Sequence, residues 1–201
     1  MALILTNLPQ KYIYFEGRKI RIKPYVRNVL FCLEVLNDPV LSNIDKVDLC
    51  IRILVGHWCG HFLKKEKLLE EIFKFLQGDN QKEEKQKVFD FEQDAALIYA
   101  GFSQAYGIDL HSKRYKRMHW HTFMALFSGL PEETRIMQII NIRAKPLPKP
   151  TKYNAEERQQ LMRLKAVYRL EISEEERERQ LAKGLWKLAE MLQSMAKEGG
   201  D

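Results

Sequence analysis

The sequence predicts a mainly α-helical protein, a multi-helix bundle with a small N-terminal β-hairpin and a C-terminal helical pair. Three observations predict it. Apolar residues recur at steps of three and four through most of the chain, the spacing of one buried helical face. Alternation of period two is confined to residues 11–23. Finally, KPLPKP at 145–150 places three prolines at alternate positions, which cannot continue a helix and favour a stiff extended connector. The expected division is a helical core domain over 1–144 carrying the hairpin, a proline-rich linker over 145–153, and a C-terminal helical hairpin over 154–201.

The hairpin reads from KYIYFEGRKIRIK. Tyr12 and Tyr14 alternate with Ile13 and Phe15, and Glu16-Gly17 offers a two-residue turn. On the return strand Ile20 and Ile22 share one face, while Lys19, Arg21 and Lys23 share the other. One face then meets a core and a basic face looks outward. A lysine-rich edge resists unwanted strand pairing, yet it also offers a subunit contact. Lys19, Arg21 and Lys23 are therefore the candidate self-association residues.

Pro24 is expected to start a helix running to about Leu36, with Val26, Val29, Leu30, Leu33 and Leu36 on one stripe, broken by Asn37-Asp38-Pro39. Ser42 or Asn43 caps the next helix, whose apolar residues from Ile44 to Val55 cover much of its circumference. A third helix, 65–77, turns Leu68, Leu69, Ile72, Phe73 and Leu76 inward and ends at Gly78. Residues 78–87, GDNQKEEKQK, read as a polar loop.

The stretch expected to organise the bundle is 89–110. Asp90 with Gln93 has the spacing of a capping box, so the helix is expected to begin at Asp90. Phe91, Ala95, Ile98 and Phe102 form its stripe, and Ala96, Tyr99 and Tyr106 widen it. The helix is thus expected to be covered on more than one side, and to end where Gly107 adopts the left-handed conformation. A basic connection follows at 111–117, then a helix burying Trp120, Phe123, Met124 and Phe127 and stopping at Gly129. Pro131 is expected to open another helix with Glu132 and Glu133 in its first turn and Ile136, Ile139 and Ile140 inward. Arg135, Gln138, Asn141 and Arg143 would face outward, as a DNA-reading helix-turn-helix requires, although a helical hairpin of core packing is the commoner outcome.

Beyond the linker, Asn154 with Glu157 and Ser173 with Glu176 mark two helix starts. The last helix sets Leu181, Leu185, Leu188, Leu192 and Met195 at steps of four, three, four and three, with Trp186 alongside. This seam either pairs with Leu161, Leu164 and Tyr168 of the preceding helix or docks a partner helix. In the second reading Leu181, Leu185, Trp186, Leu188 and Leu192 are the partner-binding residues.

Charge and composition narrow the function. Of 201 residues 45% are apolar and 30% charged, ordinary values for a globular protein. No apolar run approaches the roughly 18 residues of a membrane span, and MALILTNLPQ carries no basic leader, so a cytoplasmic location is expected. The net charge of +6 is unevenly spread: residues 1–28 carry six basic side chains against one acid, and residues 107–150 eight against three. Such zones attract nucleic acid or an acidic partner, or simply keep a surface solvated. Cys32, Cys50 and Cys59 lack a paired spacing and read as buried reduced thiols.

His57, Cys59 and His61 with His119 and His121 are the one temptation toward zinc. On a helix Cys59 points away from its neighbours, His119 and His121 diverge, and no C-x-x-C spacing is present, so no metal or other cofactor is expected. Phosphate-loop, dinucleotide and nucleophile-elbow patterns are absent as well. Asp90, Glu92 and Asp94 are explained by a helix start without catalysis. No enzyme is expected.

Several of these residues resemble a known family. Phe91-Glu92-Gln93-Asp94-Ala95, Ile98-Tyr99-Ala100 and Tyr106-Gly107-Ile108-Asp109-Leu110 form its first part. His119-Trp120, Phe123, Ala125-Leu126, Gly129-Leu130, Ile139-Ile140 and Ile142-Arg143 continue it. Together they resemble small proteins of tailed phages and prophages of Gram-positive bacteria, encoded beside the tape-measure gene where tail assembly chaperones are usually found. The resemblance is strongest over 85–145. It implies a non-enzymatic tail assembly chaperone that self-associates and binds the phage tape-measure protein. Two other classes stay open: a nucleic-acid-binding protein using basic residues 18–27 and 113–117 with Tyr12, Tyr14, Tyr25 and Tyr115, and a structural tail component retained in the virion.

Overall fold

In the computed structural model, residues 9–56, 64–78, 87–113 and 115–171 are described. The chain divides into two units, residues 1–146 and 147–201. The architecture is mostly helical with one two-stranded antiparallel sheet, as the sequence predicts.

In the first unit, strands β1 (Tyr12–Phe15) and β2 (Arg18–Arg21) pair with Tyr12 opposite Arg21, Ile13 opposite Ile20 and Tyr14 opposite Lys19. Glu16 and Gly17 take φ values of 48° and 74°, the doubly left-handed turn whose twist matches that of the strands. The period-two pattern resolves as expected, with Ile13, Phe15, Ile20 and Ile22 buried and Lys19 and Arg21 exposed.

Helices α1 (Val26–Asn37), α2 (Asn43–Leu54) and α3 (Lys65–Gln77) follow, with α1 packed on α2, α2 on α3, and α3 on β1. The Ser42 hydroxyl accepts from the Asp45 amide, giving α2 its N-cap. The α3 stripe is buried at Leu68, Leu69, Ile72 and Leu76. On α1 the buried line is Val29, Cys32 and Val35, so the stripe is rotated from the expected one and leaves Val26 and Leu30 only half-buried. Cys32 and Cys50 are free thiols at 0% exposure, and the sulfur of each lies 3.7–3.8 Å from the other's carbonyl oxygen. Interaction with Cys50 and burial together push the Cys32 thiol well above the ordinary thiol range, so it is an unreactive packing residue.

Helices α4 (Ala95–Tyr106), α5 (Trp120–Ser128) and α6 (Arg135–Ala144) are the remaining elements of this unit among the described residues. Two expected starts move. Asp90 caps a turn, accepting from the Glu92 and Gln93 amides, and α4 begins only at Ala95. Pro131 opens a turn closed by the Thr134 amide and hydroxyl, both donating to its carbonyl, so α6 begins at Arg135 with buried Thr134 in the N-cap position. In both places a local side-chain-to-backbone bond competes with the first helical turn. Gly107 ends α4 at φ 62°, as expected. A Cβ at Gly101 would lie 3.1 Å from the Ile136 side chain, so the missing side chain is what lets α4 sit close against α6.

The core joins the inner hairpin face to these helices. One part of it is aromatic: Phe102 stacks on Phe123 at 4.9 Å and 7°, and Phe123 continues onto Trp120 and Phe127. In the second unit α7 (Ala155–Val167) buries Leu161. The expected cap at Asn154 differs: its side chain accepts from the Thr151 amide and donates to the Lys149 carbonyl, fastening the connector. The Arg158 guanidinium donates to the Pro148 carbonyl. Among the described residues no helix is long and apolar enough to cross a membrane.

Candidate partner-binding groove

The feature that sequence reasoning missed is an open groove of about 1210 Å³ between α1, α4 and the 107–119 connection. On α1 it is lined by the ridge of Val26, Leu30 and Glu34, residues four apart, and by the next ridge of Arg27 and Phe31. On α4 it is lined by Ala95, Ala96 and Tyr99. Ile53, Ile98, Met118 and Phe123 also line it.

Its origin lies in α4, where Ile98, Gly101 and Phe102 are buried but Ala95, Ala96 and Ala100 are exposed. As expected, α4 is covered on more than one side, toward α6 at Gly101 and toward α5 at Phe102 and Tyr106, but the face carrying Ala95, Ala96 and Ala100 is open. The reason is Asp94. Beginning at Ala95 instead of Asp90 turns Asp94 inward to 2% exposure, which rotates Ala95 and Ala96 toward solvent.

Asp94 is buried because it is paired. Arg143 Nη1 and Nη2 donate to its two carboxylate oxygens at 2.6 and 3.0 Å, the bidentate fork geometry. The Asp90 amide also donates to Asp94, and Arg143 donates to the Val88 carbonyl. This clamp ties the entry of α4 to the end of α6. It also corrects the outward placement of Arg143, whose side chain is only 12% exposed, whereas Arg135, Gln138 and Asn141 are exposed as expected.

The groove rim is basic. Among the described residues Lys23, Arg27, His111 and Lys116 line it, against one acid, Glu34. No ion pair engages the side chains of Lys23, Arg27 or Lys116 among the described residues. Phe31 stays 47% exposed. Tyr99 donates to Asp109, whose charge raises the phenol's pKa, and it lies against the His111 ring at 5.0 Å.

The candidate self-association residues separate. Lys19 sits over the Tyr12 ring at 4.5 Å and Arg21 lies opposite Tyr12, both on the exposed hairpin face, whereas Lys23 lies beyond the strand at the groove. Leu181, Leu185, Trp186, Leu188 and Leu192 lie outside the described residues, as do His57, Cys59 and His61.

His119 and His121 do not diverge: their rings are 5.2 Å apart, because His119 is the extended N-cap of α5 and not a helical residue. The His121 amide donates to His119 Nδ1, so the ring proton is on Nε2, which donates to the Gln10 carbonyl. Both nitrogens of that ring are thereby committed. Among the described residues no cluster of three or more potential metal ligands occurs. Burial holds the His119 pKa below the ordinary histidine value, with the nearby His121 and Lys11 adding to that effect. The folded state therefore disfavours protonation. Its contribution is present above about pH 6.5, the unperturbed value, and is lost as pH falls toward the folded one. The unfolding midpoint in urea should fall between pH 7 and pH 5, and His119→Asn, which retains a capping oxygen, should flatten that slope.

What fold and groove define is a small helical protein that leaves an apolar, cation-rimmed channel uncovered on its core unit. The model of the bacteriophage Gp15 protein family matches residues 6–170, and the chain belongs to that family. The match extends through the hairpin and first three helices, beyond the 85–145 region where the motifs are densest. No curated protein and no solved structure matches the chain.

Proposed function

We propose that this phage-family protein is a non-enzymatic tail assembly chaperone, which self-associates and holds the tape-measure protein until the tail tube forms around it. The carrying observation is the open α1–α4 groove in a chain of the Gp15 family. A tape-measure protein is a long helical chain whose apolar seams would aggregate if left bare, and a groove of this kind can cover such a seam. Many modest contacts along one chain, made by several copies, would hold it through avidity without any single tight site. Self-association is assigned to the exposed basic hairpin face around Lys19 and Arg21, with Lys23 nearer the groove. The C-terminal seam at Leu181–Leu192 is proposed as a second contact to the partner.

Co-expression of the tagged protein with its genomic neighbours tests this reading. The tape-measure protein should co-purify, and mass spectrometry of finished virions should find this chain missing. Stoichiometric retention in the particle would instead make it a structural tail component. Deleting residues 151–201 apportions capture between seam and groove: abolished binding assigns it to the seam, and retained binding to the core unit.

A further inference from the structure

We infer that the α1–α4 groove takes one amphipathic α-helix of a partner protein, with an apolar stripe on its inner face and acidic residues on its flanks. This deepens the proposed function and rests on the groove being its partner surface. Shape supports a helix as the occupant. The α1 wall is 12 residues long, about 18 Å at 1.5 Å per residue, so three turns of a second helix can lie along it. Ala95 and Ala96 present only methyl groups, which permits interaxial distances of about 8–10 Å. At about 1210 Å³ the groove also exceeds the roughly 300–1,000 Å³ of ordinary small-molecule sites.

Charge supports acidic flanks. Lys23, Arg27 and Lys116 stand at the rim with no ion pair among the described residues, so carboxylates alongside them would meet unneutralised cations. Glu34, two turns along α1 from Arg27, reverses the sign at that end of the wall and fixes a direction: the acids belong beside Lys23 and Arg27. A nucleic acid fits poorly, since its phosphates gain nothing from the apolar lining and meet Glu34. Apolar burial supplies affinity here, and the rim supplies orientation and encounter rate.

Three synthetic helical peptides sharing one leucine stripe, with acidic, glutamine or basic flanks, serve as probes against the full chain. The acidic peptide should bind about tenfold or more tighter than the basic one at low salt, with the glutamine peptide between them. The double variant Arg27→Glu with Lys116→Glu should reverse that order. Ala96→Trp, at an exposed helical position, should fill the groove and weaken all three while leaving the thermal midpoint nearly unchanged; Phe31→Ser, also at an exposed site, repeats the test from the opposite wall. Equal affinity for the three peptides, or binding indifferent to both groove variants, would overturn the inference. Tape-measure capture that survives Ala96→Trp would overturn it too while leaving the assembly role standing. Loss of capture by the unaltered chain, with the peptide ranking intact, would instead remove the assembly role alone.

Discussion

Arg143→Ala should destabilise the protein by about 3–5 kcal/mol, one of the two largest effects expected of any single change. The two partners of the pair are not equivalent. Asp94 is 2% exposed and receives three donated bonds, two from Arg143 and one from the Asp90 amide. Removing the arginine leaves a carboxylate that water cannot reach, with one amide for company. Removing the carboxylate is milder, because Arg143 at 12% exposure can turn toward solvent and retain the Val88 carbonyl. Asp94→Asn should therefore cost about 2 kcal/mol, within the range for a buried charge-assisted bond. The pair itself is a modest net stabiliser, since two ions leave water to form it. Replacing both residues together by Leu and Met should accordingly recover much of the larger loss. Urea unfolding midpoints at constant m-value, assembled into a double-mutant cycle, measure all three. If Arg143→Ala cost under 1 kcal/mol, water would have to reach Asp94 freely.

Phe102→Ala should cost a similar 3–5 kcal/mol, by a different route. Phe102 is fully buried, stacks on Phe123 at 4.9 Å and meets Tyr106 edge-on at 5.8 Å. Its removal forfeits the transfer free energy of the ring and leaves a cavity bounded by other rings, which collapse poorly. Phe102→Leu keeps most of the volume and should cost about 1.5 kcal/mol. Thermal unfolding of both variants checks the ordering. Equal losses for Ala and Leu would point to the ring stacking, and not the volume, as the dominant contribution.

The two cases show which parts of this fold a sequence can carry. The α3 helix was legible from end to end because its stripe has one period and Gly78 stops it. The hairpin was legible because period-two alternation meets a Glu-Gly turn. Both signals are local. The Asp94–Arg143 clamp joins residues 49 positions apart, and nothing near either one announces the other. Once Asp94 turns inward, helix α4 is rotated from the face its apolar spacing implies. Ala95 and Ala96 fit a buried stripe by composition, yet alanine is equally at home on an exposed helix face, so the pattern could not say which side would be open. The one usable hint was excess: α4 holds more apolar residues than a single covered face needs. The candidate groove is the structural consequence of that excess.

The family resemblance legible in the sequence likewise rests on turn and aromatic residues, such as Tyr106-Gly107 and His119-Trp120. Neither pair identifies a binding surface. Tyr106 donates to the Leu126 carbonyl and Trp120 pairs its amide with the Pro24 carbonyl, so both are spent on architecture. The basic residues that do reach the groove, Lys23, Arg27 and Lys116, come from two separate stretches that only folding brings together.

Hydroxyl-radical footprinting of the isolated protein and of the proposed complex with the tape-measure protein measures groove occupancy most directly. Phe31 and Tyr99, on opposite walls, should become several-fold less reactive in the complex, while Tyr153, 97% exposed on the connector, serves as the reference. Unchanged labelling of Phe31 and Tyr99 in a stable complex would contradict the account, because the groove would then be open while the partner was held.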